Sequence, residues 1–286
     1  MNKPLIFGIG EIVWDCLPAG KKLGGAPVNF SYYAGRLGAD SYAVSAVGKD
    51  SLGEETLESC RSFGLDTRFI EQNELPTSRV LVKLDSSGVP QYEILEGVAW
   101  DALDASEEVL AAVSRADAIC WGSLAGRTDR SFKAISSMIV TAPEGCMKVF
   151  DINLRQHYYS REKIESSLGA ASALKLNEDE LPVLSGLFNL PTDAADALCG
   201  IAQQWSLDYV IYTCGAAFSE IHGANGLISH IDTPKVDVAD TVGAGDSFTA
   251  AFITSILLGK TTREAHEMAV FLAAKVCSSS GAIVEI

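Results

Sequence analysis

Asp240-Thr241-Val242-Gly243-Ala244-Gly245-Asp246, running into the helix-like Ser247–Leu258 with Gly259 behind it, is the stretch on which the reading of this chain turns. Small residues at 243–245 let the backbone come close to a ligand, and the first amides of a helix have no intrahelical acceptor. With the helix dipole adding partial positive charge, Gly243, Ala244 and Gly245 make an anion hole suited to a phosphoryl group. Asp246, directly after that hole, can take a proton from an incoming hydroxyl while the amides stabilise charge on the group being transferred. Read in isolation, the same residues serve equally as a tight turn with an acidic side chain favouring a helix N-terminus. The surroundings decide between the two.

Upstream, short apolar runs alternate with helical patterns. Leu5–Ile9, Ser41–Val47, Ala118–Trp121, Lys148–Ile152, Ala173–Leu176 and Tyr209–Thr213 read as buried strands. Val28–Leu37, Gly53–Phe63, Ser106–Ser114, Asp129–Val140, Arg161–Leu168 and Thr192–Trp205 read as the crossover helices between them. This alternation predicts an α/β fold: a doubly wound, mostly parallel sheet between helices. One stretch departs from it. Ser78–Asp85 and Gln91–Leu95 alternate around Ser86-Ser87-Gly88-Val89-Pro90, which predicts a hairpin, and Ile12–Leu23 is also short and strand-like. The expected organisation is one domain over 1–286, with a small β-strand lid built from excursions at about 11–24 and 76–100.

Composition excludes several classes. The chain has 286 residues, 48% of them hydrophobic and 21% charged, and no apolar run long enough to cross a bilayer. Met1–Gly8 has no cationic lead, long apolar stretch and cleavage site, so no secretory signal is expected. The seven cysteines, at 16, 60, 120, 146, 199, 214 and 277, are odd in number and scattered, which suits reduced thiols in the cytoplasm. Histidines 157, 222, 230 and 266 form no ligand cluster. A net charge of −15 argues against a nucleic-acid partner and means that an anionic nucleotide would need Mg²⁺ and local donors.

The string Asp240–Asp246 matches D-T-x-G-A-G-D, a signature of the ribokinase-like (PfkB) carbohydrate kinases, and the resemblance runs over nearly the whole chain. Leu23-Gly24-Gly25-Ala26-Pro27-Val28-Asn29 resembles the family's N-terminal signature in the G-G-A-P-x-N form typical of bacterial-type fructokinases. It implies that Gly24, Gly25, Asn29 and Asp15 contact the sugar, and the residue types suit that work: glycines allow close approach, while an amide and a carboxylate pair with hydroxyls. Phe150-Asp151-Ile152-Asn153-Leu154-Arg155 resembles F-D-x-N-x-R, and Asn177-Glu178-Asp179-Glu180 supplies N-x-x-E. By resemblance, Arg155 neutralises the transferred phosphoryl group, while Asn177 and Glu180 organise phosphate and Mg²⁺, the latter through water. The acidic run 178–180 would serve as well as a solvated helix start.

Tyr212-Thr213-Cys214-Gly215 resembles the nucleotide-side T-x-G loop, so Thr213, Gly215 and the amides at Gly243 and Gly245 are the implied ATP contacts. Phe218 stands where the family usually has glycine, and Val270 where many relatives have asparagine near the adenine. The family often holds a monovalent cation, K⁺, beside the anion hole, and Asp240 occupies the matching position. Some relatives pair through the lid, as a homodimer of this chain would, although an exposed strand edge can equally be blunted by charge. Two other motifs fail: Gly259-Lys260-Thr261 ends like a Walker loop but has Thr254 at its first glycine, and Gly8-Ile9-Gly10 lacks a third glycine at Val13. The resemblance implies an ATP-dependent sugar kinase, with D-fructose the first acceptor to consider and another sugar or a nucleoside the alternative. A non-catalytic sugar-binding or regulatory protein is the reading from another class, suggested by Phe218 and Val270.

Overall fold

A computed structural model describes residues 3–17, 20–84 and 90–286. The chain runs β1 (Leu5–Ile9), β2 (Val13–Leu17), β3 (Gly20–Gly24), α1 (Ala26–Arg36), β4 (Asp40–Gly48), α2 (Ser51–Ser62), β5 (Ile70–Asn73), β6 (Arg79–Leu84) and β7 (Pro90–Ile94). After it come α3 (Glu107–Val113), β8 (Ala118–Trp121), α4 (Asp129–Thr141), β9 (Met147–Asp151), α5 (Arg161–Ala170), β10 (Ala173–Asn177), α6 (Glu180–Phe188) and α7 (Ala194–Gln204). The last part holds β11 (Tyr209–Cys214), β12 (Phe218–Gly223), β13 (Gly226–Asp232), α8 (Ala244–Leu257) and α9 (Thr262–Cys277).

Period-two alternation on each strand feeds two cores. On β1, Ile6 packs into one and Phe7 and Ile9 into the other. The first core collects side chains of α1, α2, α8 and α9; the second collects those of α3 to α7. Because helices cover both faces, the central strands read as continuous apolar runs instead of alternating ones. The nine-stranded sheet has the order β13-β12-β11-β10-β9-β8-β1-β4-β5, parallel except at β12 and β13. β1 lies between β4 and β8, so the chain leaves it in both directions and opens a crevice at the carboxyl ends of the strands.

The six predicted strands and six predicted crossover helices are all present, with shifts confined to their ends. Elements that the sequence pattern did not mark are polar or short. β5 is Ile70-Glu71-Gln72-Asn73, and β12 and β13 interleave Ser219, Glu220, His222, Ser229 and His230 with apolar residues. α6 begins at Glu180, inside the acidic run. α9 also went unmarked, although its capping box of Thr261 and Glu264 is a start signal.

A second sheet has the order β3-β2-β6-β7. β2 and β3 pair antiparallel, as do β6 and β7, while β2 and β6 are parallel. The turn expected over Ser86–Pro90 lies outside the described residues up to 89. This sheet is tied to the body through β2: Trp14 Nε1 donates to Thr56 Oγ1 on α2 at 2.8 Å.

Candidate active site

The carboxyl ends of β1, β9, β10 and β11, the start of α1 and the start of α8 meet in one place. Gly243 is the N-cap residue of α8, and its φ of 79° is left-handed. A Cβ there would stand 2.7 Å from the Ala282 carbonyl oxygen, so only glycine fits. No side chain caps the first turn of α8, where the Ala244 amide donates to the Thr241 carbonyl at 3.3 Å.

Asp246 sits in that first turn, and Asn29 Nδ2 donates to its Oδ2 at 2.7 Å. This bond exists because α1 and α8 pack side by side in the same core. Asn29, expected on the sugar, therefore holds Asp246, while its own Oδ1 makes no protein hydrogen bond. Burial raises the Asp246 pKa above the ordinary aspartate value, helped by the Asp151 charge; the Asn29 bond, Lys175 and Arg155 oppose it. The result is a carboxylate made more basic than in water.

Beneath the glycine turn lies a buried ion pair that sequence reasoning missed. Lys175 and Asp151 are cross-strand partners on β10 and β9, with Nζ and Oδ1 3.2 Å apart. Thr249 of α8 donates to the other Asp151 oxygen at 3.0 Å. Lys175 Nζ would be 3.1 Å from a Cβ at Gly245, so the ammonium faces the glycine turn itself. Burial works against its charge, but Asp151, Glu180 and Asp246 together hold its pKa above the usual lysine value. The signal was present: a lysine inside the buried strand Ala173–Asn177 must have a partner or a task.

Glu11, just after β1, was also missed. It is buried, and desolvation pushes its pKa up to about 7, with Asp246 adding to the rise and Arg155 opposing it. Gly25, at φ 122°, packs so tightly on the Glu11 carbonyl that a Cβ would come within 2.4 Å. Asp15 lies beside Gly24, whose Cβ would be 3.3 Å from Oδ2, and burial raises its pKa while Arg155 lowers it. Arg155 is exposed on the loop after β9, and its charge acts on Glu11, Asp15 and Asp246 together. That loop turns through Asn153 at φ 42°, a conformation asparagine tolerates.

On the other side of the crevice, Asn177 and Thr213 are register partners at the ends of β10 and β11. Asn177 Oδ1 accepts from the amides of Asp179 at 2.9 Å and Glu180 at 3.0 Å, and the Glu180 oxygens accept from the amides of Leu154 and Asn177, both at 2.9 Å. Both side chains thus shape the loops, and each carboxylate oxygen keeps a further lone pair for a water on Mg²⁺. Among the described residues, no group of three or more His, Cys, Asp or Glu is placed to hold a metal directly. Gly215 has φ 45° and Phe218 opens β12, stacked on His230 with ring centroids 5.1 Å apart. Val270 is half-buried on α9.

Asp240 has a different neighbour from the one its resemblance implied. Its Oδ1 accepts from the Val242 amide at 3.1 Å, and its Oδ2 from the Gly281 amide and from Lys22 Nζ, both at 3.1 Å. That ammonium supplies a positive charge to the carboxylate that the resemblance offers to a monovalent cation.

Among the described residues, no helix is long and apolar enough to cross a membrane. Comparison with known proteins agrees with the geometry. The chain is 25% identical over 284 residues to a fructokinase of Escherichia coli, covering 92% of this chain and 88% of that protein. It is 28% identical over 269 residues to an aminoimidazole riboside kinase of Salmonella typhimurium, covering 90% and 81%. The crystal structure of a fructokinase from Xylella fastidiosa with bound ATP shares the fold, with a TM-score of 0.82 over 97% of this chain and 93% of that one at 21% identity. Residues 11–286 match the pfkB family carbohydrate kinases, and the chain belongs to that family of phosphotransferases with an alcohol group as acceptor.

Proposed function

We propose that this protein transfers the γ-phosphoryl group of Mg²⁺-ATP to the primary hydroxyl of a sugar, converting D-fructose to D-fructose 6-phosphate. The observation that carries the reading is the Asp246 carboxylate, fixed by Asn29 at 2.7 Å and standing in the first turn of α8, which no side chain caps. Asp15, the Asn29 Oδ1 and the backbone at Gly24 and Gly25 orient the sugar. Asp246 accepts the proton of its hydroxyl as that oxygen bonds to the γ-phosphorus, and the bond to the bridging oxygen breaks to release ADP. The amides of 243–245, the Lys175 ammonium and Arg155 oppose the negative charge of the phosphoryl group.

Bound with the nucleotide, Mg²⁺ neutralises phosphate charge, and Glu180 and Asn177 are the residues that would hold its water shell. Thr213 and Gly215 take the nucleotide side. The small sheet of β2, β3, β6 and β7 serves as the lid of a single domain over 1–286, excluding water from the site. Its open edges, β3 and β7, are also where two copies would pair. The free cysteines and the need for ATP fit a cytoplasmic setting.

Fructose is favoured by the name of the Escherichia coli relative, and a riboside acceptor by that of the Salmonella one. An ADP-release assay with Mg²⁺-ATP across fructose, glucose, mannose, ribose, 2-keto-3-deoxygluconate and adenosine separates them. Fructose-selective turnover is expected. Selective turnover of another acceptor would keep the kinase and remove fructose, while silence across the panel from folded protein would favour a binding or regulatory role.

A further inference from the structure

Lys22 lies two residues before Gly24 on β3, directly opposite Asp15 in the β2–β3 register. From there its ammonium leaves the small sheet and reaches the main body, donating to Asp240 Oδ2 at 3.1 Å and to Ser280 Oγ at 3.2 Å. Asp240 opens the turn that ends in the anion hole. The rest of its carboxylate is committed to the amides of Val242 and Gly281, so one side chain ties the turn to the 280–282 segment. That segment is the wall against which Gly243 packs, through Ala282. The backbone repeats the connection, since the amides of Ala239 and Asp240 both donate to the Cys277 carbonyl. A positive charge at Asp240 therefore sets the position of Gly243 and of the amides behind it. Although burial works against it, the Val242 amide, the Lys22 ammonium and the Gly281 amide hold the Asp240 carboxyl below its usual pKa, so it stays ionised to receive that charge.

We propose that the tethered ammonium of Lys22, and not a free monovalent cation, is the charge that sets the 240–245 turn, so that phosphoryl transfer by this protein is indifferent to K⁺. Lys22 is a positioning residue: it touches neither the reacting hydroxyl nor the phosphoryl group, and acts through Asp240. Because it is carried by the small sheet, it also couples the placement of that sheet beside Asp15 to the geometry of the anion hole. The inference rests on the phosphoryl-transfer reading and concerns how that site is held together.

The test compares the native protein, Lys22→Met and Lys22→Arg in buffers whose cation is K⁺ or N-methylglucamine, each with Mg²⁺-ATP and the best acceptor of the panel. Native turnover is expected to agree within about twofold between the two cations, and Lys22→Met to lose about tenfold in kcat/KM in N-methylglucamine, the scale of one charge-assisted hydrogen bond. Adding K⁺ should restore most of that loss, whereas Lys22→Arg should remain indifferent to the cation. Melting temperatures are read in parallel without sugar or nucleotide: K⁺ is expected to raise that of Lys22→Met and leave the native protein unchanged. Strong K⁺ activation of the native enzyme, or a defect in Lys22→Met that K⁺ does not repair, would overturn the proposal. Silence of every acceptor would count against the kinase reading alone, because the melting comparison still decides the role of Lys22.

Discussion

The turn at 240–246 and the turn at 213–218 both present a glycine of positive φ at the edge of the same crevice, yet they are constrained in different ways. Gly243 is pressed against backbone, with the Ala282 oxygen and Cα 2.7 and 2.9 Å from where a Cβ would be. Gly215 meets only the far end of a flexible side chain, Glu178 Oε1, at 3.0 Å. Backbone cannot yield, whereas a glutamate can swing away. The first turn thus leaves a strict trace in sequence, and the second tolerates departures such as Phe218, which packs on His230 and Tyr212.

Asp246→Asn tests the first turn most severely: kcat should fall by about 10²–10⁴-fold if Asp246 removes the proton. In the native enzyme the acid limb of kcat/KM should lie above the ordinary aspartate pKa, because burial raises it. The sign for stability is opposite. A carboxyl whose folded pKa is raised favours folding below its unfolded pKa, and that contribution is lost as pH rises through the folded value. Asp246→Asn should therefore melt higher than native protein near neutral pH, with the gap closing near pH 4. An inactive variant that melts lower at neutral pH would mean that the carboxylate helps hold the fold.

Gly243→Ala and Gly215→Ala sharpen the contrast through denaturant midpoints. Gly215→Ala should cost about 1–2 kcal/mol for the left-handed backbone, and Gly243→Ala clearly more, because the collision with Ala282 adds to the same penalty. Equal costs would remove the distinction. The smallest effect is expected from Phe218→Gly: the KM for ATP should move by less than about tenfold with kcat unchanged, and stability should fall by about 1 kcal/mol as two aromatic contacts disappear. A larger gain in ATP affinity would show that Phe218 crowds the nucleotide.

What was legible in the sequence follows the same division. Residues whose own type carries the mark of their constraint, such as Gly243 and Gly25, and the strands packed on both faces could be read from residue type and spacing. The bond from Asn29 to Asp246 was not legible, since it depends on which helices share a core. Lys175 could have been noticed as the one charge in an apolar strand. Lys22 could not: Lys21-Lys22 resembles any solvated pair until β3 is placed against the Asp240 turn.

The hydrogen bond between Asn29 and Asp246 spans 217 residues of chain, and the Lys22–Asp240 contact spans 218. Such pairings have high contact order, so the loop entropy they cost must be met by the rest of the fold before they form. The centre of the site is therefore expected to form late in folding. A collapsed intermediate holding most of the sheet but lacking these two contacts would have no attenuated form of the activity, and the appearance of turnover during refolding should lag behind the recovery of helical signal.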